Sequence, residues 1–392
     1  MLTRPSCPAA WLLAGLMAAL PQVLWAADWR LSLIEREDPP SLSRTRQERA
    51  YLGHPGGPAR DGVALALEDA KLELDAGRTK ISLSHELARD AATAVAQAQR
   101  AEKAGAKVLL LNLPAGWLTS VAAAVKLPVL NLGAGDDALR ERDCRAHVFH
   151  VAPSERMRAD ALAQTLLTRK WSQVLLLAGA SEADAARAAT AKASLIRHGL
   201  KIVQERRFVL SADPRERAQS NPALLTGGNS YDAVWVVDSD GEFARALPYN
   251  TVLPRPVVGD AGLTAQAWQA QFERFGAPQV SRRFSRAYKR AMTSSDWNAW
   301  MGGKVAAAAA LAQPQPTTLS AWSSWLHGQD FDGAKGVVMQ FRAWDGQLRQ
   351  PLLLTDGQGV QAMAPVEGIL HPRNALDALG ADAPEQLCKG RS

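Results

Sequence analysis

The chain has 392 residues, of which 47% are hydrophobic and 21% charged, and its formal net charge is +6 at pH 7. This length is too great for one hydrophobic core and suits two domains. Basic and acidic residues are interleaved and no basic run dominates, which argues against nucleic-acid binding despite the positive net charge.

The N-terminal segment has the pattern of a secretory signal. Arg4 precedes an apolar run over residues 11–20, and Ala26 and Ala27 supply small residues for cleavage. The run is too short to span a bilayer, which needs about 20 apolar residues. We therefore expect residues 1–27 to be a cleaved signal peptide and the mature protein to be periplasmic. The alternative is a buried N-terminal helix.

Short apolar runs alternate with helical segments along the rest of the chain. The strand candidates are residues 31–34, 80–83, 107–111, 128–132, 148–151, 173–177, 201–208, 231–237 and 256–259. The helical candidates are residues 62–74, 85–104, 155–170, 182–198 and 241–247. Strand, helix and strand in this order predict parallel sheets with helices on both faces.

The strand–helix alternation occurs twice, over about residues 28–150 and again over about residues 151–278. A long, almost wholly helical segment follows, and residues 336–363 return to strand patterns. Within this last segment Asp345-Gly346 separates two apolar runs, which predicts a β-hairpin at the dipeptide.

Two cysteines remain after removal of the signal peptide, Cys144 and Cys388. In an oxidising compartment two such thiols are expected to form a disulfide. The bond would close a long loop and attach the C-terminal tail to the body of the protein. Two unpaired thiols are the alternative.

Signatures of catalysis are missing from the sequence. It has no Gly-x-Ser-x-Gly elbow, no phosphate-loop motif and no His-Glu-x-x-His motif. Its 7 histidines are scattered along the chain. We therefore expect a protein that is not an enzyme and that uses no cofactor.

Two successive α/β units, then helices and a late hairpin behind a signal segment, resemble the type I periplasmic binding proteins, which include the branched-chain amino-acid receptors. The resemblance implies two Rossmann-like α/β lobes with parallel central sheets, joined by three crossovers. It implies an N-terminal lobe of residues 28–150 plus 280–330, and a C-terminal lobe and tail of residues 151–279 plus 331–392. It further implies a monomer that binds a small ligand between its lobes and delivers it to the permease of an ABC transporter.

Five longer strings narrow the resemblance to one subfamily. They are residues 53–58, 240–245, 247–259, 298–304 and 344–351. These strings resemble ABC-transporter binding proteins associated with PQQ-dependent alcohol oxidation. The match implies a metabolic association and names no ligand.

Ligands of two-lobed sheet proteins bind at the carboxyl ends of the strands, where the lobes face each other. In the first lobe this rule selects Asn112 and Trp117 after one strand candidate, and Asn131 and Gly133 after the next. Amino-acid receptors of the resembled family usually place Ser and Thr hydroxyls there, so the Asn residues argue against an ordinary amino-acid ligand. An amide side chain suits a neutral polar group. The alternative is that both Asn side chains bind backbone at the strand ends.

Two further candidates lie close to the first strand. Glu35 stands at its end, and His54 lies in the Gly/Pro-rich turn before the first long helix. A helix that starts there offers backbone N–H groups to an anionic or polar ligand. The alternative is a tight turn that needs glycine for its backbone angles.

In the second lobe the candidates are Asp238, Asp240 and Asp260, which follow two strand candidates. The segment from Asp238 to Glu242 resembles part of a calcium loop, but the residues after it supply no further ligands. We expect a capped helix N-terminus there. A metal site formed by Asp238, Asp240 and Glu242 is the alternative.

The function expected from these features is that of a periplasmic substrate-binding component of an ABC transporter. Alcohol oxidation with PQQ depends on bound metal, so a protein that binds calcium, a lanthanide or a metal chelate is one alternative. A ligand sensor that signals to a membrane partner without transport is another.

Overall fold

The computed structural model describes residues 27–39, 56–211, 213–228 and 230–391. The expected signal segment up to Ala26, and also His54, lie outside these ranges. Within them the chain forms two parallel sheets flanked by helices, which confirms the predicted α/β class. In the described part of the chain, no helix combines the length and apolarity needed to cross a bilayer.

The strands are β1 (Ala27–Arg36), β2 (Thr79–Ala88), β3 (Ala106–Asn112), β4 (Val129–Asn131), β5 (Val148–His150), β6 (Gln173–Ala178), β7 (Lys201–Arg207), β8 (Ala233–Val237), β9 (Val257–Gly259), β10 (Thr264–Gln266), β11 (Phe331–Asp332), β12 (Val338–Met339), β13 (Leu352–Thr355) and β14 (Val360–Ala364). The α-helices are α1 (Ala59–Asp69), α2 (Lys71–Ala76), α3 (Ala91–Lys103), α4 (Ala115–Ala124), α5 (Glu155–Thr168), α6 (Glu182–Arg197), α7 (Pro222–Thr226), α8 (Ala277–Tyr288), α9 (Ser294–Leu311) and α10 (Leu319–His327).

The first sheet has the strand order β2-β1-β3-β4-β5, and all its neighbouring strands are parallel. Alternate residues of a strand point to opposite faces. Leu110 of β3 therefore packs in the core on one face, and Leu109 and Leu111 pack in the core on the other. We call this sheet, with the helices that pack on it, the first lobe.

The second sheet has the strand order β7-β6-β8-β9 and is also parallel. Its β6 likewise divides its side chains, with Leu176 in one core and Leu175 and Leu177 in the other. A small antiparallel sheet of order β10-β13-β14 packs onto the first of these cores through residues such as Ala265 and Leu354. We call this unit the second lobe.

Helices α1 and α9 approach each other unusually closely in the first lobe. A Cβ atom on Gly62 of α1 would collide with the carbonyl oxygen of Asp296, and one on Gly303 of α9 would lie 2.7 Å from the Cβ of Ala66. Only glycine fits where two helix backbones come this close. The pair of glycines therefore sets the distance between α1 and α9.

The hairpin predicted at Asp345-Gly346 is present but much shorter than its two apolar runs: Arg342 N donates to the Gln347 carbonyl oxygen over 2.9 Å, and Arg349 N donates to that of Gln340 over 2.8 Å. The dipeptide does form a turn, but a single antiparallel bridge, Phe341 to Leu348, closes it. The chain after Leu348 leaves the turn and pairs instead as β13 with β14 and β10. The second apolar run divides between two cores, since Leu348 packs with Phe341 in the first lobe and Leu352 packs in the second.

Two predicted helices also differ from the structure. The helix expected from residue 85 begins only at Ala91, because β2 pairs with β1 as far as Ala88 and the Asp90 side chain then caps α3. The helix expected over 241–247 is instead a 3-10 segment, Ala244–Tyr249, which contains Pro248. Proline lacks the N–H that a longer α-helix needs.

The predicted disulfide between Cys144 and Cys388 is confirmed, and it joins residues 244 positions apart in the sequence. Before Cys388 the tail lies on the second lobe. There Leu379 packs in the core, and Gln164 Nε2 donates to the Ala378 carbonyl oxygen over 2.9 Å. Cys144 belongs to the first lobe, in the loop before β5. The tail therefore links the two lobes.

Candidate ligand site at the facing edges of the two sheets

The carboxyl ends of the two parallel sheets face each other. Asp137, in the loop after β4, accepts hydrogen bonds from Arg156 N at 2.9 Å and from Thr190 Oγ1 of α6 at 3.0 Å. Glu155 N, at the start of α5, donates to the Gly135 carbonyl oxygen over 2.8 Å. These contacts join the first-lobe edge to the second lobe beside the predicted ligand site.

Glu35 makes four side-chain contacts in the first lobe. Its side chain is buried at the end of β1, opposite Asn112 of β3 in the strand register. The carboxylate accepts hydrogen bonds from Ala59 N at 2.8 Å, from Arg60 N at 3.1 Å and from Asn112 Nδ2 at 3.2 Å. His85 Nε2 lies 2.9 Å from Glu35 Oε1.

The contacts of Glu35 explain how α1 begins. Pro58 stands at the N-cap position of α1 and supplies no capping side chain. In place of a capping side chain at Pro58, Glu35 accepts hydrogen bonds from the first N–H groups of the helix, although Glu35 is distant from them in the sequence. A carboxylate at this end of a helix also interacts favourably with the helix dipole.

Asn131 is fully buried, and its amide is used within its own loop. Its Oδ1 accepts from Gly133 N at 3.2 Å and from Ala134 N at 2.9 Å, and its Nδ2 donates to the Ala134 carbonyl over 2.7 Å. The same Nδ2 lies 3.0 Å from His150 Nδ1. Asn131 therefore shapes the loop after β4, as the backbone-binding alternative for this residue describes.

Asn112 and Gly133 lie together at the same edge. Asn112 is half-buried and Gly133 is exposed. A side chain at position 133 would collide with Asn112 Oδ1, so the amide oxygen occupies the space that glycine leaves open. Trp117, also half-buried, lies close by in the first turn of α4, and the Arg36 guanidinium lies 5.6 Å from its ring centroid. A polar amide thus ends β3, and an aromatic side chain follows that strand in the chain.

In the second lobe, Asp238 and Asp260 hold the loops after β8 and β9. The Asp238 carboxylate accepts from Ala244 N at 2.8 Å, which closes the turn that leads into the 3-10 segment. Asp238 N donates to Asp260 Oδ2 over 2.7 Å. Asp260 in turn binds Arg187 through both of its carboxylate oxygens, at 2.9 and 2.5 Å.

Sequence reasoning missed Arg187, which lies inside α6 and carries no motif. Its Nε also donates to Glu155 Oε2 over 3.2 Å. Burial opposes the charge of Arg187, but the carboxylates of Asp260 and Glu155 outweigh burial and raise its pKa. A cavity of about 130 Å³ adjoins this ion pair and is also lined by Trp235 and Gln266.

A metal site has no support from the arrangement of the acidic residues. Among the described residues, no group of three or more His, Cys, Asp or Glu side chains is placed to hold a metal ion. The Asp238 carboxylate is occupied by backbone N–H groups, whereas Asp240 and Glu242 are exposed. Asp238 thus binds the N–H group of Ala244 at the start of the 3-10 segment, whose N-cap residue, Phe243, makes no side-chain cap.

These features define the class of the fold: two parallel α/β lobes with facing sheet edges, as in the type I periplasmic binding proteins. Residues 52–219 match the sequence profile of a family described as "Periplasmic binding protein". No curated protein matches the chain significantly.

Three solved structures show the likeness of fold. A periplasmic binding protein from Burkholderia mallei is 13% identical, with a TM-score of 0.68 over 93% of this chain and 99% of that chain. An amino acid ABC transporter substrate-binding protein from Pseudomonas fluorescens Pf-5 is 15% identical, with a TM-score of 0.68 over 94% and 99%. A solute-binding protein of an ABC transporter from R. palustris, in complex with benzoate, is 14% identical, with a TM-score of 0.66 over 90% and 99%.

Proposed function

We propose that the protein is the periplasmic substrate-binding component of an ABC transporter and binds a small ligand between its two lobes. The observation that carries the proposal is the placement of Asn112, Gly133 and Trp117 at a sheet edge that faces the second lobe. Ligands of open α/β sheets bind at this edge of the strands. The matched family profile and the fold of the solved transporter components support the same function.

The ligand-binding residues proposed are Glu35, His54, Asn112, Trp117, Asn131, Gly133, Asp238, Asp240 and Asp260. Their geometry supports different roles within the site. We propose that Asn112, Gly133 and Trp117 touch the ligand, since they are exposed or half-buried, and that Glu35, Asn131 and Asp238 hold the loops that carry these contacts. Substitution of Glu35, Asn131 or Asp238 should therefore weaken ligand binding, because the loops that carry the ligand-contacting residues would move.

The lobe division proposed is residues 28–150 plus 280–330 and residues 151–279 plus 331–392. The core of the first lobe includes Phe331, Phe341 and Leu348. Their packing supports moving the third crossing of this division from residue 330 to near residue 350.

Export as a cleaved, monomeric protein is part of the proposal. The basis is the charged start, the apolar run and the alanines at positions 26 and 27. N-terminal sequencing of the exported protein should begin at Ala27 or Asp28. A retained Met1 would contradict export by cleavage, and light scattering that gives a dimer mass would contradict the monomer.

We further propose that transport by this protein is linked to PQQ-dependent alcohol oxidation. The five sequence strings that resemble the corresponding subfamily support this link. Disruption of the gene should impair growth on alcohols that a PQQ enzyme oxidises while leaving growth on their acids unchanged. Equal growth on both carbon sources would contradict the link without affecting the proposed binding function.

Native mass spectrometry of protein isolated from periplasmic extract tests the binding function. We expect a bound species below about 1 kDa, the size that a ligand pocket of this class encloses. The permease and ATPase reconstituted in liposomes should then hydrolyse ATP faster when the loaded protein is added. Binding without stimulation would favour the sensor alternative, and the absence of any ligand would contradict the proposal.

A further inference from the structure

Two pairs of backbone N–H groups at the edge of the first lobe already have acceptors within that lobe. Glu35 accepts from Ala59 N and Arg60 N, and Asn131 accepts from the N–H groups of residues 133 and 134. Loops and helix starts of this kind are common sites for the anionic groups of ligands. A ligand carboxylate would have to displace Glu35, which is 4% exposed, or Asn131, which is 0% exposed.

The orientation of the Asn112 amide follows from the chemistry of its partner. An ionised carboxylate only accepts hydrogen bonds, so the amide atom that lies 3.2 Å from Glu35 Oε2 is the nitrogen. The other amide atom, Oδ1, then points into the space beside Gly133. Among the described residues, no donor is bound to this oxygen.

We infer that Glu35 is a positioning residue that sets ligand specificity, because it makes Asn112 present a hydrogen-bond acceptor to the ligand. The group of the ligand that binds the first lobe is then a donor, either a hydroxyl or a protonated amine, and not a carboxylate. The inference rests on the proposed function, which places the ligand between the sheet edges.

Glu35→Gln tests this inference, because glutamine has nearly the same shape but can donate a hydrogen bond. When the glutamine nitrogen takes the place of Oε2, Ala59 N loses its acceptor, and Asn112 turns to present nitrogen in place of oxygen. Glu37→Gln is the matched control, since it removes a charge two residues away at an exposed position whose backbone N–H binds the Ala88 carbonyl.

The probes are benzyl alcohol, benzylamine and benzoate, which carry the same ring for Trp117 and differ in the head group. Calorimetric titration of the wild-type protein should show that benzyl alcohol or benzylamine binds at least about tenfold more tightly than benzoate. Glu35→Gln should abolish most of this preference, and Glu37→Gln should keep it. Tighter binding of benzoate by the wild-type protein, or an unchanged preference in Glu35→Gln, would overturn the inference.

A second measurement needs no binding of these probes. Glu35→Ala leaves the N–H groups of residues 59 and 60 without their acceptor, and formate is small enough to take the place of the missing carboxylate. Millimolar formate should raise the melting temperature of Glu35→Ala, but not that of the wild-type protein, and chloride should have no such effect. The NMR signals of the Asn112 side-chain amide should also shift in Glu35→Gln. Absence of both effects would overturn the inference.

Failure of the proposed function would give a different pattern. In that case the formate effect and the Asn112 amide shift would persist, because they depend on contacts within the first lobe. No compound would then change the arrangement of the two lobes.

Discussion

Cys388 is bonded to Cys144 of the first lobe, although the tail just before it is held by the second lobe. Gly380 N donates to Asp160 Oδ2 of α5 over 2.9 Å, and Arg156 of the same helix binds Glu385 at 2.7 Å. The disulfide therefore lies where the tail passes from one lobe to the other. It adds a covalent link between lobes that the main chain already connects.

Removal of this disulfide should destabilise the protein strongly. For a bond between residues 244 positions apart, the chain-entropy model gives an upper value of roughly 5 kcal/mol in the free energy of unfolding. Denaturant titration of the double variant Cys144→Ser, Cys388→Ser measures the loss. A reductant should lower the melting temperature of the wild-type protein and leave that of the double variant unchanged. Equal sensitivity of both proteins to the reductant would contradict the prediction.

Arg342 and Asp377 form a buried ion pair between the turn at residue 345 and the tail. Arg342 Nε donates to Asp377 Oδ1 over 2.9 Å, and the two residues are 0% and 3% exposed. Asp377→Ala leaves a guanidinium group buried without its main carboxylate partner, which should cost about 3–5 kcal/mol of stability. Chemical denaturation checks this value. The control is Glu205→Ala, which removes the partly exposed partner of Lys192 and should cost less than about 1 kcal/mol.

The free energy of unfolding should fall at acid pH because His150 is buried. Burial, followed by the nearby Arg140 and Arg391 charges, lowers the pKa of His150 well below 6.5. Below pH 6.5 the unfolded chain gains a proton at this residue that the folded protein does not bind, so stability falls as the pH drops. The loss amounts to about 1.4 kcal/mol per pH unit for this histidine. His150→Gln should show a shallower dependence of unfolding free energy on acid pH, and parallel curves for the two proteins would contradict this assignment.

Alanine substitutions at Gly62, where α1 approaches α9, and at Gly116, which has open space beside it, should change stability in opposite directions. Gly62→Ala places a methyl group against the Asp296 carbonyl and should cost about 1–3 kcal/mol. Gly116→Ala, in the first turn of α4, meets no atom within 4 Å and should stabilise the protein by up to about 1 kcal/mol through helix propensity. Thermal unfolding compares the two variants. An unchanged stability of Gly62→Ala would contradict the prediction, since it would mean that α1 and α9 move apart with little loss of free energy.

The sequence was sufficient to predict most of the two parallel sheets. Strands such as β3, β6 and β8 are buried runs of aliphatic residues, so their position does not depend on fine details of packing. The hairpin predicted in the segment from 336 to 354 is shorter in the structure, because the apolar residues of this segment divide between two cores. The pattern of hydrophobic residues in a sequence indicates that a residue is buried, but it does not indicate in which of two cores the residue packs.

The sequence selected the residues of the candidate site but did not predict their hydrogen-bond partners. The rule that ligands bind at strand ends selected Asn112 and Asn131 together, yet the structure gives them different partners. Asn131 binds its own loop, whereas Asn112 binds Glu35, which lies 77 residues away in the sequence. Arg187 was missed because its partner Asp260 is 73 residues away. Contacts of such separation are set by the fold and leave no local pattern.

The central claim is that the two lobes close on a small ligand. Small-angle X-ray scattering tests it most directly, on protein freed of its co-purifying ligand by unfolding and refolding, before and after that ligand is added back. The account predicts a smaller radius of gyration when the ligand is bound, because the facing sheet edges approach each other. An unchanged radius at full occupancy of the ligand would contradict it.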